Sequence, residues 1–564
     1  MEAAQAVQHP SEPAPRAGGV SASGDQASEK PFRFPWAWAL ALLALSCVPY
    51  LVAGAITPPD LRFGGLLANP LDGNSYLAKM RLGAQGSLRY YLIFSSEAQE
   101  GHFFYLPYLL WGRLTAALGL SIPTAYHLGR LLGGLFFLWS AHQFLRRFTP
   151  TPAAHRLAWT LVAISSGIGW AALPFGHIAP DLWVPEANSF YSLFTNVHFP
   201  LATGLVLWLY LLCVDPEEEP PSGRPNARRM CLAALCSGGM ALALPFAALS
   251  IYPILAIALA WKGVRTHRFP LAEACTAGAS AAPVTLVGAY DLAVVASDPL
   301  VRVWTEQDVN PSPPLWDVGL AYGLVGLLAL WGAWRAVRAG EERPMYLVLW
   351  TLVNLALLYA PTALQRRLVM GLHVPLCGLA AWGLVDVLVR VGRPRWRRAL
   401  SASFAGFSAL SNLLVIAIAL SGAFAHDRHY YFTRAEGKAM AWLSEHAPPR
   451  AVVLAAPSTS LFVPVWAGLQ VVYGHPLETA HAGTRKKEVE RFFAGAMSPQ
   501  EEWDWLAARR VRYLLWGPEE EAIARFRPEE RPYLVPLFQA GAAQVFGVDL
   551  AQGVAPIPAP SEEE

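Results

Sequence analysis

The feature that most constrains this chain is a series of apolar segments, each long enough to cross a lipid bilayer, between Trp36 and Phe424. A spanning helix needs roughly 20 residues, because the hydrocarbon core is about 30 Å thick and a helix rises about 1.5 Å per residue. A soluble core would not need so many such segments. The proportions of 54% hydrophobic and 15% charged residues agree with this. The sequence therefore predicts an α-helical polytopic membrane protein.

Lys and Arg cluster in the connections between these segments, and such clusters mark cytoplasmic loops. The clusters lie at 30–33, 146–156, 224–229, 262–268, 335–343 and 390–398. The predicted spans are 36–57, 123–145, 157–174, 199–214, two short ones within 230–261, 269–291, 317–335, 344–360, 369–389 and 399–422. This topology places the N-terminus in the cytoplasm and everything after about residue 425 outside.

The segment 103–119 does not fit this scheme, because it is apolar but contains Pro107 and Arg113. It is either a further span or a juxtamembrane or re-entrant helix, so we expect 11 to 13 spans in total. Three regions follow: a disordered cytoplasmic tail at 1–31, a membrane domain at 32–424 with a long first outward loop at 58–122, and an extracytoplasmic α/β domain with its tail at 425–564.

Polar and ionisable side chains are concentrated in the loops predicted to face outward. At membrane depth such groups are costly, so their distribution is the best functional signal. The candidate substrate-binding residues are Asn74, Tyr76, Lys79, Glu97, His102, Glu186, His198, Gln307, Arg366 and Arg367. The formal net charge of +2 gives no indication of a nucleic-acid partner.

Asp72 is the candidate catalytic residue. A carboxylate near a low-dielectric wall tends to have a raised pKa and can take the proton of an acceptor hydroxyl. The alternative is an ordinary helix N-cap, since "LDGNSYLAKM" also has the pattern of a cap followed by a surface helix. Glu97 or Glu100 could hold a divalent cation with Asp72, but three acids without fixed spacing are a weak metal signature. The cofactor is thus a divalent cation or none.

Arg366 and Arg367 lie side by side in a loop predicted to face outward, against the usual charge bias. A bound phosphate would offset these charges, because Arg presents a rigid fork of donors that suits a phosphodiester. The alternative is that this turn is cytoplasmic and the predicted topology fails there.

The motif "DGNSY" in a long first loop, an 11 to 13 span core and an outward α/β domain together resemble the type C glycosyltransferases. The segments "SIPTAYHLGRLLGGLFFLWSAHQFLRRF" and "LQRRLVMGLHVPL" also resemble Arg-bearing segments of that fold. The resemblance covers about residues 36–424. It implies that Asp72 is the catalytic base, that the donor is a polyprenyl-phosphate sugar, and that the chain lies in a bacterial inner (plasma) membrane. In the family a second acid often follows the first, whereas Gly73 follows Asp72 here.

The predicted function is therefore transfer of a hexosyl or pentosyl group, with inversion, to a hydroxyl of a lipid, glycan or protein acceptor. A transporter or flippase for a lipid-linked or amphiphilic anion would use the same arginines without chemistry. A catalytically inactive scaffold that recruits a partner is a third alternative.

Overall fold

The computed structural model describes residues 31–214, 224–391, 393–523 and 526–549, and the predicted tail at 1–31 lies outside these ranges except for its last residue. The helices up to residue 424 are α1 (Trp36–Leu45), α2 (Val48–Ala55), α3 (Pro70–Ala84), α4 (Leu106–Ala117), α5 (Ile122–Phe148), α6 (Pro152–Ile164), α7 (Ser189–Thr195), α8 (His198–Val214), α9 (Ala227–Ala243), α10 (Ala247–Thr266), α11 (Leu271–Ser297), α12 (Pro299–Gln307), α13 (Leu315–Ala339), α14 (Glu342–Leu357), α15 (His373–Val389), α16 (Pro394–Ser408) and α17 (Leu410–Phe424).

Each of the predicted spans falls on a helix or on consecutive helices. Within the described ranges, five helical segments are long and apolar enough to cross a membrane. Helix α6 and the short helical segment Gly169–Phe175, bent by 48° relative to one another, make a sixth if they form one span. The helices α8 and α15 are shorter but also apolar. Large apolar side chains on the outer faces are exposed, for example Leu286 at 73% and Leu330 at 68%. Such a surface suits lipid, and the predicted helical membrane protein is confirmed.

The segment 103–119 forms the 12-residue helix α4. At about 1.5 Å per residue it is about 18 Å long, which is too short to cross a bilayer. It crosses α3 with the two backbones in direct contact at Gly83 and Gly112. A Cβ on either glycine would lie 1.9 Å from a carbonyl oxygen of the other helix. The length of α4 thus argues against a full span and favours the other alternative, a re-entrant or juxtamembrane helix.

After residue 424 the chain forms a mixed sheet flanked by helices, which we call the C-terminal domain (431–549). The remaining elements are β1 (Leu61–Phe63), β2 (Tyr431–Thr433), α18 (Arg434–His446), β3 (Val452–Leu454), α19 (Pro457–Ser460), α20 (Val463–Trp466), β4 (Gln470–Val471), α21 (Ala482–Phe493), α22 (Pro499–Ala508), β5 (Val511–Trp516), α23 (Pro518–Ile523), β6 (Leu534–Ala540) and β7 (Ala543–Val548). The sheet order is β4-β3-β5-β7-β6, parallel for the first three strands and antiparallel for the last two. The predicted small α/β domain is confirmed.

The first loop and the C-terminal domain are joined along their length. β1 pairs antiparallel with β2, and the amide N–H of Val471 in β4 donates to the carbonyl of Ile93 in the loop at 3.1 Å. The Gln470 side chain donates to the Ser95 carbonyl at 2.7 Å. Buried apolar residues of both parts form one cluster. The loop therefore acts as part of the C-terminal domain's core, and the two position one another.

Candidate active site

Asp72 lies in the first turn of α3, at the joint between the first loop and the C-terminal domain. The helix begins at Pro70, whose fixed φ suits the first helical position. The N-cap residue is Asn69, in a left-handed conformation with φ of 49°. The alternative that Asp72 is the N-cap is therefore wrong. Because Asn69 occupies the N-cap position, the Asp72 side chain is free for other contacts. The helix dipole favours a carboxylate in the first turn.

Two polar groups hold the Asp72 carboxylate. The Asn69 side chain donates to Oδ2 at 2.7 Å. Nε2 of His475, from the C-terminal domain, lies 3.4 Å from Oδ1. Among the described residues this Nε2 has no hydrogen-bond partner of good geometry, although the His475 side chain is only 2% exposed.

The tautomer of His475 follows from its other ring nitrogen. Nδ1 accepts from the backbone N–H groups of Leu477 at 3.0 Å and Glu478 at 3.1 Å. A nitrogen that accepts two hydrogen bonds carries no proton, so the proton of the neutral ring is on Nε2 and points at Asp72. The loop that contains Leu477 and Glu478 thus fixes a hydrogen-bond donor against the carboxylate.

The pKa of Asp72 differs from the sequence-based prediction. Burial works to raise this pKa, as predicted. However, the contact with His475, the hydrogen bond from Asn69 and the charge of Arg367 outweigh burial and lower the pKa of Asp72 to about 2. The predicted raised pKa is wrong, because it considered only the low-dielectric surroundings and not the donors around the carboxylate. Asp72 is an ionised acceptor throughout the physiological pH range.

Arg366 and Arg367 lie on a short 3₁₀ segment, Gln365–Val369, between α14 and α15. Nη2 of Arg367 contacts both carboxylate oxygens of Asp308, at 2.9 and 3.1 Å. Nη2 of Arg366 donates to Oδ1 of Asn310 at 2.7 Å, and the same guanidinium lies over the Trp183 ring at 4.6 Å. The charge that a bound phosphate was predicted to offset is thus partly offset by Asp308.

Asp72 and Glu186 both feel the charge of the arginine pair. Burial raises the pKa of Glu186, while the charges of Arg367 and Arg366 work in the opposite direction. Arg367 also lowers the pKa of Asp72. Charges that influence one another's titration in this way must be near neighbours in a low-dielectric region. Arg367 thus acts electrostatically on both Asp72 and Glu186, while the convergence of the loops that carry residues 72, 186 and 366–367 into one site stays a prediction.

Gln307 and the next residues connect this pocket to the C-terminal domain. The Gln307 side chain donates to the carbonyls of Leu477 at 3.1 Å and Thr479 at 2.8 Å. Asp308, the next residue, holds Arg367. The last residue of α12 and the residue after it therefore contact both the loop that positions His475 and the arginine pair.

Lys79 and Glu478 form a buried ion pair near Asp72. Lys79 Nζ lies 2.7 Å from Glu478 Oε1, and the side chains are 1% and 10% exposed. Ser75 donates to the same oxygen at 3.0 Å, and the Tyr90 hydroxyl donates to the other. The ammonium lies 4.0 Å from the centre of the Tyr105 ring. The predicted substrate-binding Lys79 is therefore fully engaged with the protein.

Aromatic side chains line the pocket beyond Asp72. Tyr76 stacks on Tyr108 with ring centres 5.1 Å apart, and the Tyr108 hydroxyl is 2.6 Å from Nδ1 of His198. An apolar cavity of about 230 Å³ adjoins Tyr108 and His198, with Trp111 and Leu201 among its walls. Two predicted residues, Tyr76 and His198, are thus placed together, between Asp72 and an apolar cavity.

Three other predicted residues have contacts of their own. Asn74 is 1% exposed and donates to the Pro70 carbonyl at 2.8 Å. Glu97 pairs with Arg485 of the C-terminal domain at 2.7 Å, and His102 pairs with Asp298 at 2.8 Å. The prediction that Glu97 supplies a second acid beside Asp72 is not supported, because the Glu97 carboxylate pairs with the Arg485 guanidinium.

The donor set does not fit a metal ion at Asp72. Within the described ranges there is no group of three or more His, Cys, Asp or Glu residues that could hold one. Gly73 follows Asp72, and the groups that face Asp72 are hydrogen-bond donors.

The fold is similar to three solved structures of membrane proteins. The archaeal oligosaccharyltransferase AglB from Archaeoglobus fulgidus, solved with an inhibitory peptide and a dolichol-phosphate, is 14% identical with a TM-score of 0.50, and the match covers 93% of this chain and 75% of that chain. The arabinofuranosyltransferase AftD from Mycobacteria is 17% identical with a TM-score of 0.52, covering 92% of this chain and 40% of that chain.

ArnT from Cupriavidus metallidurans, bound to undecaprenyl phosphate, is 12% identical with a TM-score of 0.51, covering 91% of this chain and 98% of that chain. At these identities the likeness is one of fold alone, and it agrees with the fold that the resemblance of the sequence implied. No family model matches the chain, and no curated protein matches its sequence.

Proposed function

We propose that this chain transfers a sugar from a polyprenyl-phosphate donor to an acceptor hydroxyl, on the extracytoplasmic side of a bacterial plasma membrane. The observation that carries the proposal is the series of contacts that links the Asp72 carboxylate, through His475 and the end of α12, to the Arg367 guanidinium. The fold similarity to glycosyltransferases supports it. The presence of dolichol-phosphate and undecaprenyl phosphate in two similar structures supports a lipid phosphate as the donor class.

The proposed step is a single displacement with inversion. The acceptor oxygen forms a bond to the anomeric carbon as the bond from that carbon to the phosphate oxygen breaks, and the acceptor proton passes to Asp72. The phosphate departs with the electron pair. Because the leaving group becomes more negative, guanidinium groups nearby stabilise the transition state more than the ground state.

The low pKa of Asp72 limits how this carboxylate acts. A base with a pKa of about 2 removes little of a hydroxyl proton in the ground state. It can still orient the acceptor and take the proton late, once bond formation has made the acceptor oxygen strongly acidic. We infer that Asp72 accelerates the reaction more by orienting the acceptor hydroxyl and by its negative charge than by its strength as a base.

His475 is a positioning residue in this proposal. Replacing it by Phe removes the Nε2–H donor, and we expect kcat to fall roughly 10 to 100-fold, the value of one hydrogen bond to a charged group. His475→Gln keeps a side-chain N–H near the same place and should restore most of the activity. The acid limb of the pH profile should also move upward in His475→Phe, because Asp72 loses a contact that lowers its pKa.

Equal losses in His475→Phe and His475→Gln, with an unmoved pH profile, would show that the side chain only fills space.

The arginine pair can be tested separately from the base. In Arg366→Gln we expect affinity for a polyprenyl phosphate to fall roughly 10 to 100-fold, because a charged donor to the phosphate is lost. Arg366 is the better choice of the two, since its partner Asn310 is neutral and no unpaired carboxylate remains. Tryptophan fluorescence or isothermal titration in detergent would measure the affinity.

The matched control is Arg302→Gln. This exposed arginine on α12 donates only to backbone carbonyls, at 2.6 Å for the Ala296 oxygen. If both variants bind the lipid phosphate as tightly as the wild type, the donor phosphate does not lie at Arg366.

The activity itself is tested with purified protein, a polyprenyl-phosphate sugar labelled in the sugar, and a membrane extract as the source of acceptor. Label that moves from the lipid to an acceptor supports transfer, whereas release of free sugar without an acceptor does not. The product's anomeric configuration, read by NMR, tests inversion.

A further inference from the structure

Three glutamates of the C-terminal domain lie close together where two of its strands end. β3 and β5 are neighbouring parallel strands, so their carboxyl ends lie at the same edge of the sheet. α19 follows β3, and α23 follows β5. Glu519 and Glu520 lie in the first turn of α23, and Glu436 lies in the first turn of α18. The role of this cluster is independent of the proposed function.

The Glu520 side chain is fully buried, and only one of its two oxygens has a hydrogen-bond partner. Oε1 accepts the backbone N–H of Ala456, the residue before α19, at 2.7 Å. Among the described residues, Oε2 has no partner of good geometry, and neither has the nearby Thr459 hydroxyl of α19. An ionised carboxylate that is buried with an unpaired oxygen costs free energy. Glu520 therefore joins α23 to α19 at a cost that depends on its charge.

A second buried carboxylate, that of Glu436, lies beside Glu520. A Cβ on Gly517 would lie 3.4 Å from Oε2 of Glu520 and 3.6 Å from Oε1 of Glu436. Glu436 has donors on both oxygens: the backbone N–H of Thr433 donates to Oε2 at 2.6 Å, and Arg428 donates to Oε1 at 2.7 Å. These donors suit a charged carboxylate. A second negative charge, on Glu520, would lie against the first in a region without water.

The one cation in contact with this cluster is committed to the other two glutamates. Arg428 lies 2.8 Å from Glu519 through Nε, in addition to its contact with Glu436. The other charged side chains of the neighbouring elements are exposed or paired elsewhere. Exposed are Arg434, Lys438, Glu445 and His446 of α18, Lys487 of α21, Arg512 of β5 and Glu521 of α23, and paired on α21 are Arg485 with Glu488, Lys486 with Glu490 and Arg491 with Glu501. Within the part of the chain that the structure describes, Glu520 thus has no cation of its own.

Burial and the charge of Glu436 act on Glu520 in the same direction. Burial is the larger effect, and the two raise the pKa of Glu520 from an ordinary 4.5 to about 7, against the hydrogen bonds of Ala456 and Thr459. The folded domain therefore holds a proton on Glu520 that the unfolded chain releases above about pH 4.5. The stability that this proton contributes is fully present below that pH, and it is lost as the pH rises through about 7.

We propose that Glu520 is a proton-dependent latch between α23 and α19. With a proton, its carboxyl group accepts from Ala456 through Oε1 and donates through Oε2 to Thr459 or Glu436. Without the proton, its charge is buried beside that of Glu436, and separation of the two helices lets water reach both carboxylates. α19 leads into α20, which packs against α3. The latch therefore supports, from the side of the C-terminal domain, the helix that contains Asp72.

The test follows hydrogen exchange of residues 456–466 and 517–523 in the full-length protein in detergent, at pH 6 and at pH 8. Glu520→Gln imitates the protonated side chain, because its amide oxygen can accept from Ala456 and its N–H can donate to Thr459. Comparison of this variant with the wild type at the same pH cancels the change in the intrinsic exchange rate. Relative to Glu520→Gln, we expect protection of these residues in the wild type to fall roughly 10-fold from pH 6 to pH 8.

Glu521→Gln is the matched control, because it makes the same change on an exposed side chain of the same helix. Its protection relative to the wild type should change by less than about twofold between the two pH values. If Glu520→Gln does not fold, Glu520→Met serves, since it also has no titratable group. Equal pH dependence in the wild type and in the Glu520 variant would overturn the proposal. A loss of protection as large in β6 and β7 as in α19 would also overturn it, because the whole domain would then open.

Discussion

Asp72→Asn should reduce kcat about 10² to 10⁴-fold, while affinity for the lipid-phosphate donor stays within about threefold of the wild type. The amide has nearly the same shape: its oxygen can face the His475 N–H, and its NH2 group can donate to the Asn69 side chain once that amide turns by 180°. It can neither take a proton nor carry a charge. Since the carboxylate acts on the acceptor and not on the phosphate, the loss should fall on the chemical step. Single-turnover transfer with labelled donor measures it directly.

Asp60→Asn is the matched control, because it makes the same chemical change on an exposed side chain of the same loop. It should leave both the rate and the donor affinity unchanged. Full transfer activity in Asp72→Asn would remove the proposed base. Absence of transfer in the wild type, together with movement of the intact lipid-linked sugar across a vesicle membrane, would instead identify a transporter or flippase.

The acid limb of the wild-type pH profile gives an independent check. The folded-state pKa of Asp72 is lowered to about 2, so the side chain is ionised above this pH. It loses its negative charge only as the pH falls through that value. We therefore expect no activity loss from Asp72 between about pH 4 and pH 8. An acid limb centred between about pH 4 and 5 that disappears in Asp72→Asn would contradict the assigned pKa.

The sequence predicted the features that depend only on consecutive residues, namely the apolar helices and the loops between them. Span length and the placement of Arg and Lys follow from the bilayer, and they predicted where the apolar helices and the long first loop lie in the chain. The bilayer imposes these patterns on consecutive residues, so they can be read without knowledge of tertiary contacts.

The partners of the predicted site residues could not be predicted in this way. His475 contacts Asp72 only because the first loop adds to the edge of the C-terminal sheet beside β4, and no sequence pattern announces that pairing. The same pairing brings Glu97 to Arg485 and away from Asp72. The one available signal was the polar run "GHPLETAH" directly after an apolar strand, which indicates buried polar side chains in need of partners.

The ion pair between Lys79 and Glu478 is the strongest single link between the α3 helix and the loop that holds His475. Lys79→Met should destabilise the C-terminal domain by roughly 3 to 5 kcal/mol, because it leaves the Glu478 carboxylate buried without its cation. Burial lowers the pKa of Lys79, and the pairing with Glu478 offsets part of that effect. The two charges thus tolerate burial only together.

The double variant Lys79→Met/Glu478→Gln should recover most of this loss, since no unpaired charge remains. The amide oxygen can accept from one of the Ser75 and Tyr90 hydroxyls, and the amide N–H can donate to the other. Hydrogen exchange of residues 470–480 and the melting temperature in detergent would measure both effects. The control is Lys486→Met, which breaks an exposed pair with Glu490 at 3.8 Å and should cost less than about 0.5 kcal/mol.

The transfer activity of these variants should follow the same order as their stability. If the buried pair positions the loop of His475, Lys79→Met should lose activity in conditions where the protein remains folded, and the double variant should regain it. Equal stability in Lys79→Met and Lys486→Met would mean that the pair contributes nothing to the joint. Recovery of stability without recovery of activity would mean that Lys79 itself takes part in substrate binding, as the sequence first predicted.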